Sequence, residues 1–270
     1  MAKVFRYFLL MVCVVQFFFG VAFFLQWPFA VSLWPFSGTT PLTFMFISSI
    51  FAAAAASTAW AVLSGNMGAL AGIGLDYLTI LAPVGVYSFQ LAARGGEARM
   101  ALYGVACVLG ALFGLGLFLW SARLPLDRSR AIPRPVRWSF VFFIVALLIV
   151  GGRLALQVPN SIPWAITPEL SVVMGWMFLG AAVYFAYGLL RPAWANAAGQ
   201  LVGFLAYDLV LIVAFLSRLP ATSPENRLGL TIYTAVVALS GLLAIYYLFL
   251  NGATRLGVGG TPRPHLRSSG

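Results

Sequence analysis

YFLLMVCVVQFFFGVAFFLQW, residues 7–27, contains no charged side chain, and the next one along the chain is Asp76. Coiled as a helix at 1.5 Å per residue, such a run is about 31 Å long, and a bilayer's hydrocarbon core is about 30 Å thick. The composition repeats the message over the whole chain. It is 62% hydrophobic and 8% charged, with mean hydropathy +0.97, where a soluble domain carries about 25% charged residues. Backbone groups in lipid must be satisfied internally, so each span is expected to be helical. The alternation of apolar and polar residues that a membrane barrel needs is missing.

Eight spans are predicted, at about 7–27, 41–63, 68–91, 100–122, 138–157, 170–190, 194–217 and 228–250. The first follows Lys3 and Arg6, as a signal peptide would. Its apolar run exceeds the roughly 7–15 residues of a signal-peptide core, so it reads as a retained helix.

The chain says nearly the same thing twice. Arg6, Gly20 and Leu25-Gln26-Trp27-Pro28 return 131 positions later as Arg137, Gly151 and Leu156-Gln157-Val158-Pro159. Thr40-Pro41 returns as Thr167-Pro168, Asn66 as Asn196, Tyr77 as Tyr207, and Gly68-x-x-x-Gly72 as Gly199-x-x-x-Gly203. The expected fold is therefore an all-α integral membrane protein, with eight transmembrane helices as two parallel four-helix repeats. The first covers 1–127 and the second 137–256, with a cytoplasmic linker at 128–136 and a disordered tail at 257–270. An even number of spans per copy makes both copies enter the membrane in one direction.

Thr40 and Thr167 fit N-cap positions, and Pro41 and Pro168 fit the first helical turn. The Pro- and Trp-rich segments before them, 28–40 and 159–167, are expected to lie flat at the interface. The glycine pairs, with Gly110 and Gly114, mark faces where helices approach closely.

Orientation follows from Lys and Arg. With the N-terminus cytoplasmic, the inner side carries Lys3, Arg6, Arg123, Arg128, Arg130, Arg134, Arg137, Arg191, Arg255, Arg263 and Arg267, and the outer side only Arg94, Arg99, Arg153, Arg218 and Arg227. Both termini are then inside. The net charge of +10 is accounted for by arginines facing anionic lipid, so the bilayer is the expected partner and nucleic acid is not. Trp27, Trp34 and Trp164 at outer ends, and Trp60, Trp120, Trp138 and Trp194 at inner ends, read as an aromatic belt.

The familiar catalytic constellations are missing. The only His is His265 and the only Lys is Lys3, both outside the spans. Haem held by two histidines and a retinal Schiff base within the helices are excluded. No GxxxxGK[ST], HExxH or GxSxG is present. Cys13 and Cys107 lie inside spans at no metal or redox spacing. No cofactor or metal is expected, and a membrane enzyme is the least favoured class.

Two acids fall inside spans, Asp76 and Asp208. Counted from Asn66 and Asn196 they lie about 15 and 18 Å deep, near mid-membrane, where a carboxylate is expensive and marks a functional candidate. Aligned on Tyr77 and Tyr207 they point about 200° apart, so they are not equivalents. One reading makes them proton- or ligand-binding groups, with Tyr77, Tyr207 and Gln200 as companions and Tyr184 and Tyr187 nearby. The other makes them structural, with Asp208 paired to Arg153.

The segment Ile162-Pro163-Trp164-Ala165-Ile166-Thr167-Pro168-Glu169-Leu170, followed by Gly175-Trp176 and Gly180 and echoed by Trp34-Pro35 and Thr40-Pro41-Leu42, resembles a pattern in bacterial multi-pass inner-membrane proteins of no known activity. The resemblance implies a bacterial inner membrane and carries no site residue. Two functions stay open. One is a carrier or binding protein for a small, largely apolar ligand, with a site between the copies. The other is a non-catalytic accessory subunit that meets other membrane subunits, favoured by how few polar residues the spans hold.

Overall fold

The computed structural model describes residues 2–37, 40–95 and 98–256. Among these there is no strand. Nine α-helices follow one another: α1 (Ala2–Phe24), α2 (Pro28–Leu33), α3 (Pro41–Leu63), α4 (Leu70–Ala93), α5 (Ala98–Ser121), α6 (Arg134–Ala155), α7 (Pro168–Leu190), α8 (Trp194–Arg218) and α9 (Pro224–Ile245). All but α2 are long and apolar enough to cross a membrane. At 22 to 25 residues each is about 33–38 Å long. The expected tail at 257–270, with His265, lies outside the described residues.

The recurring Leu-Gln-x-Pro motif is a helix stop. At the end of α1 the Gln26 amide donates to Phe23 and the Trp27 amide to Ala22; at the end of α6 Gln157 donates to Leu154 and Val158 to Arg153. These bond pairs close a Schellman turn, whose pivot must be left-handed. Gln26 and Gln157 take that role, with φ of 51° and 57°. The proline that follows has no N–H with which to continue a helix. Thr40 and Thr167 then cap the next helices, accepting from the amides of Thr43 (3.4 Å) and Leu170 (3.3 Å), with Pro41 and Pro168 in the first turn.

The segments between stop and cap differ from each other. Residues 28–33 form the short helix expected of an interfacial segment, whereas 159–167 form turns without a helix. The aromatic-belt reading fails for three tryptophans. Trp34 and Trp164 are buried, and Trp194 is 1% exposed. Trp164 donates to Thr43 (3.2 Å) and stacks on Tyr233, and Trp34 packs on Phe23, Phe36 and Tyr103. Their rings find aromatic neighbours in the protein, which an interface position would not supply. Trp27, Trp120 and Trp138 are exposed.

Neighbour by neighbour, the helices run α1–α3–α8–α9 in one row and α5–α4–α7–α6 in the other. Gln16 on α1 donates to the Tyr77 hydroxyl on α4 (2.8 Å), joining the rows. Lys3, Arg6 and the α5–α6 connection lie toward one face, here called proximal. The 28–37 and 159–167 segments lie toward the other, distal face, where the Thr167 hydroxyl donates to the Ser37 carbonyl (3.4 Å). In the proximal connection the Ser129 hydroxyl and amide both donate to Asp127, which holds that carboxyl below its usual range.

Glycines set the helix contacts, as expected. A Cβ on Gly72 would meet the Tyr184 ring of α7 at 2.9 Å, and one on Gly203 would run into Ser57 of α3. Other approaches are backbone to backbone. A Cβ on Gly74 would lie 2.6 Å from the Gly114 carbonyl of α5, and one on Gly175 2.8 Å from the Gly151 carbonyl of α6.

Backbone cannot step aside as a flexible side chain can. Gly74→Ala and Gly175→Ala are each expected to destabilise the protein by about 1–3 kcal/mol, read as a lower melting temperature in detergent. Gly116→Ala, with nothing within 4 Å of its Cβ, should instead be neutral or stabilising by up to about 1 kcal/mol. Equal melting temperatures for all three would refute the close-contact account.

Candidate functional site

The helices of the second half enclose a cavity of about 780 Å³, closed on one side by α3 and α4. It exists because α6 packs along α7 but not along α9. Near the proximal face Val136 and Phe140 of α6 share one hydrophobic cluster with Ala244, Tyr247 and Leu248. Distal to that cluster the two helices diverge. At the proximal ends of α1 and α5 rings meet likewise: Phe5 on Trp120 at 4.8 Å, and Phe8 on Phe113 at 6.0 Å.

The walls are apolar and aromatic, with Phe46, Ile80, Phe143, Phe178 and Phe204 among them. Phe142 and Ile232 also line the cavity and are 57% and 56% exposed, so it opens on the surface that the spans turn to lipid. At the distal end it reaches Asn160, Ser161, Glu225 and Asn226.

Its inner end is polar. Asp208 on α8 is 2% exposed, and its Oδ2 accepts from the Ser240 hydroxyl of α9 (2.6 Å). Gly241, the next residue of α9, faces the Asp208 side chain and leaves room for it. Asp76 on α4 is half-buried and lies against Gly180 of α7, where a Cβ would meet its Oδ1 at 2.6 Å. Buried Gln200 donates from Nε2 to the Tyr184 carbonyl, and the Tyr207 and Tyr233 hydroxyls bond to each other. Three buried atoms here have no partner: Asp76 Oδ1, Asp208 Oδ1 and Gln200 Oε1. No group of three or more potential metal ligands occurs among the described residues.

The structure thus brings together Asp76, Asp208, Tyr207 and Gln200, from two helices, and adds Tyr184. It does not bring in Tyr77, which turns to Gln16, or Tyr187, which faces Phe118. The expected Arg153–Asp208 pair does not form. Arg153 is exposed near the distal end of α6 and Asp208 bonds Ser240 instead. A charged head stays in contact with the polar surroundings at a helix end more cheaply than it reaches mid-membrane.

A count from the contact glycines gives a different pairing. Counted from the contact glycines Gly72 and Gly203, Asp76 and Tyr207 both come four residues later, and Tyr77 and Asp208 both come five later. The contacts follow this count. A Cβ on Gly114 would meet Tyr77, and one on Gly241 would meet Asp208. Sequence reading missed Ser240, Tyr233 and Ser57. The first two lie seven residues apart on one face of α9, a spacing that could have flagged them. Cys13 and Cys107 are buried and free, away from the cavity.

No protein family, curated protein or solved structure matches this chain.

Removing the Ser240 hydroxyl leaves a buried carboxyl oxygen without its donor. Ser240→Ala is expected to destabilise the protein by about 1–3 kcal/mol. A double-mutant cycle with Asp208→Ala should give a coupling of about 0.5–3 kcal/mol. Additive losses would mean that the bond contributes nothing.

Proposed function

We propose that this chain binds a small, largely apolar ligand in the cavity between α6 and α9, as part of a multi-pass membrane protein. One observation carries the reading: an apolar space of about 780 Å³ ends at Asp76, Asp208 and Gln200, each of which holds a buried polar atom without a partner. Sites for small molecules are about 300–1,000 Å³, apolar-walled, with a few placed polar groups. Buried polar atoms are otherwise nearly always paired, so atoms left unpaired beside an open space suit a ligand that pairs them. The sideways opening at Phe142 and Ile232 suits a ligand that arrives from the bilayer.

A filled cavity should not bind. Ala181 lines it on α7, and Ala181→Trp is expected to abolish saturable binding of the neutral fluorophore N-phenyl-1-naphthylamine to protein in lipid nanodiscs. The variant should keep a cooperative thermal transition. Binding equal to wild type, or no wild-type signal beyond empty nanodiscs, would count against the reading.

The surrounding architecture is proposed to be two parallel four-helix repeats, 1–127 and 137–256, joined by 128–136. Exchanging α1, α3, α4 and α5 for α6, α7, α8 and α9 leaves the set of main helix neighbours unchanged. The paired stops and caps support this, as does a serine of α3 and one of α7 each donating to a carbonyl of the helix before it: Ser48 Oγ to Gly20 of α1 (2.7 Å), and, one turn displaced, Ser171 Oγ to Leu154 of α6 (2.8 Å). Lys and Arg crowd the proximal face, which supports cytoplasmic termini in a bacterial inner membrane. With the two native cysteines replaced, an impermeant maleimide added to intact cells is expected to label Ser223→Cys and not Ser129→Cys. The reverse pattern would invert the map.

A further inference from the structure

We infer that the cavity selects a cation, an amphiphile with a positively charged head and an apolar, ring-bearing body. This rests on the apolar-ligand reading above and adds the charge of the ligand. The chain holds 16 Lys and Arg against 6 Asp and Glu. Three of those six acids, Asp76, Asp208 and Glu225, line this one cavity, and no Lys or Arg among the described residues does. A random share of side chains would have brought more arginine than carboxylate.

The acids are arranged along the path. Glu225 is exposed at the distal mouth, while Asp208 and Asp76 sit at the inner end with Oδ1 of each unpaired. Asp208 is nearly sealed from solvent, and its one donor, Ser240, is neutral. An ionised carboxylate in such surroundings needs a counter-charge, and no described residue lining the cavity supplies one. A bound cation would. The remaining polar atom, Gln200 Oε1, is likewise an acceptor without a donor.

The walls fit the same chemistry. Tyr184, Tyr207 and Tyr233 line the inner end, with Phe204 stacked on Tyr207 at 5.6 Å. Aromatic faces attract a cation, and more strongly once water is excluded. An anionic ligand would meet three carboxyl groups, a wall of aromatic rings and no described base, and a neutral one would leave an ionised carboxyl without a counter-charge.

The test compares three four- or three-ring probes of one shape class and different charge, titrated separately by calorimetry into the full-length protein in dodecyl maltoside, with empty-micelle heats subtracted. They are tetraphenylphosphonium, triphenylphosphine oxide and tetraphenylborate. Tetraphenylphosphonium is expected to bind at least tenfold more tightly than either of the others. Asp76→Asn and Asp208→Asn should each weaken it at least tenfold. Should the variants fail to fold, the wild-type ranking alone decides. Borate or oxide binding as tightly as the phosphonium, or phosphonium affinity unchanged in both variants, overturns the charge selection. Oxide binding without phosphonium preference leaves the apolar-ligand reading standing, and no binding by any of the three overturns both.

Discussion

Helices immersed in lipid gain little by burying apolar faces against each other, because the lipid tails are as apolar as leucine. What holds such a bundle is close approach, and here it is set by glycines facing backbone. Gly74 lies against α5 at Gly114, and Gly175 against α6 at Gly151. Gly72 and Gly203 do the same work between the halves, admitting Tyr184 and Ser57. Each of these contacts fixes a helix at a distance that no larger residue would permit. The α6–α9 gap is what remains when α6 is drawn onto α7 and α9 onto α8, with no side chains long enough to fill the space between.

In the first half, Phe5 packs on Trp120 and Phe8 on Phe113 at the proximal ends of α1 and α5. Tyr77 spends its hydroxyl on Gln16. Asp208, five residues after Gly203 as Tyr77 is after Gly72, bonds Ser240 at the polar end of the cavity, with its other oxygen buried and unpaired. Gly180 serves the same end on the opposite wall, since any side chain there would strike the Asp76 carboxyl and Ile80. Polar residues at mid-membrane are tolerated only where the protein, and not lipid, surrounds them.

Much of the fold was legible in the residues. Long uncharged runs demand helices wherever the backbone must satisfy itself, and the eight long helices fall close to the eight predicted spans. Thr40 and Thr167 act as the caps that their position before proline implied. Leu-Gln-x-Pro was visible as a repeat, but its meaning as a left-handed helix stop was not, because glutamine is an unusual residue at that φ. The tryptophans misled for a related reason. A Trp at a helix end reads as interfacial unless its neighbours are known, and Phe23, Tyr103 and Tyr233 come from other segments.

The site was legible only as candidates. Asp76, Asp208, Tyr207 and Gln200 stood out as polar residues at membrane depth, and they do line one cavity. Tyr77 and Arg153 stood out equally and do not, because depth along a helix says nothing about which neighbour a face meets. Composition and periodicity by themselves determined that the chain is helical, apolar and suited to cross a membrane eight times, since those properties are sums over local residues. Only the tertiary structure decided that α6 and α9 part, that Ser240 and not Arg153 reaches Asp208, and that three acids and no base share one space. Those outcomes depend on contacts between segments far apart in the chain, which close glycine packing imposes and no local pattern encodes.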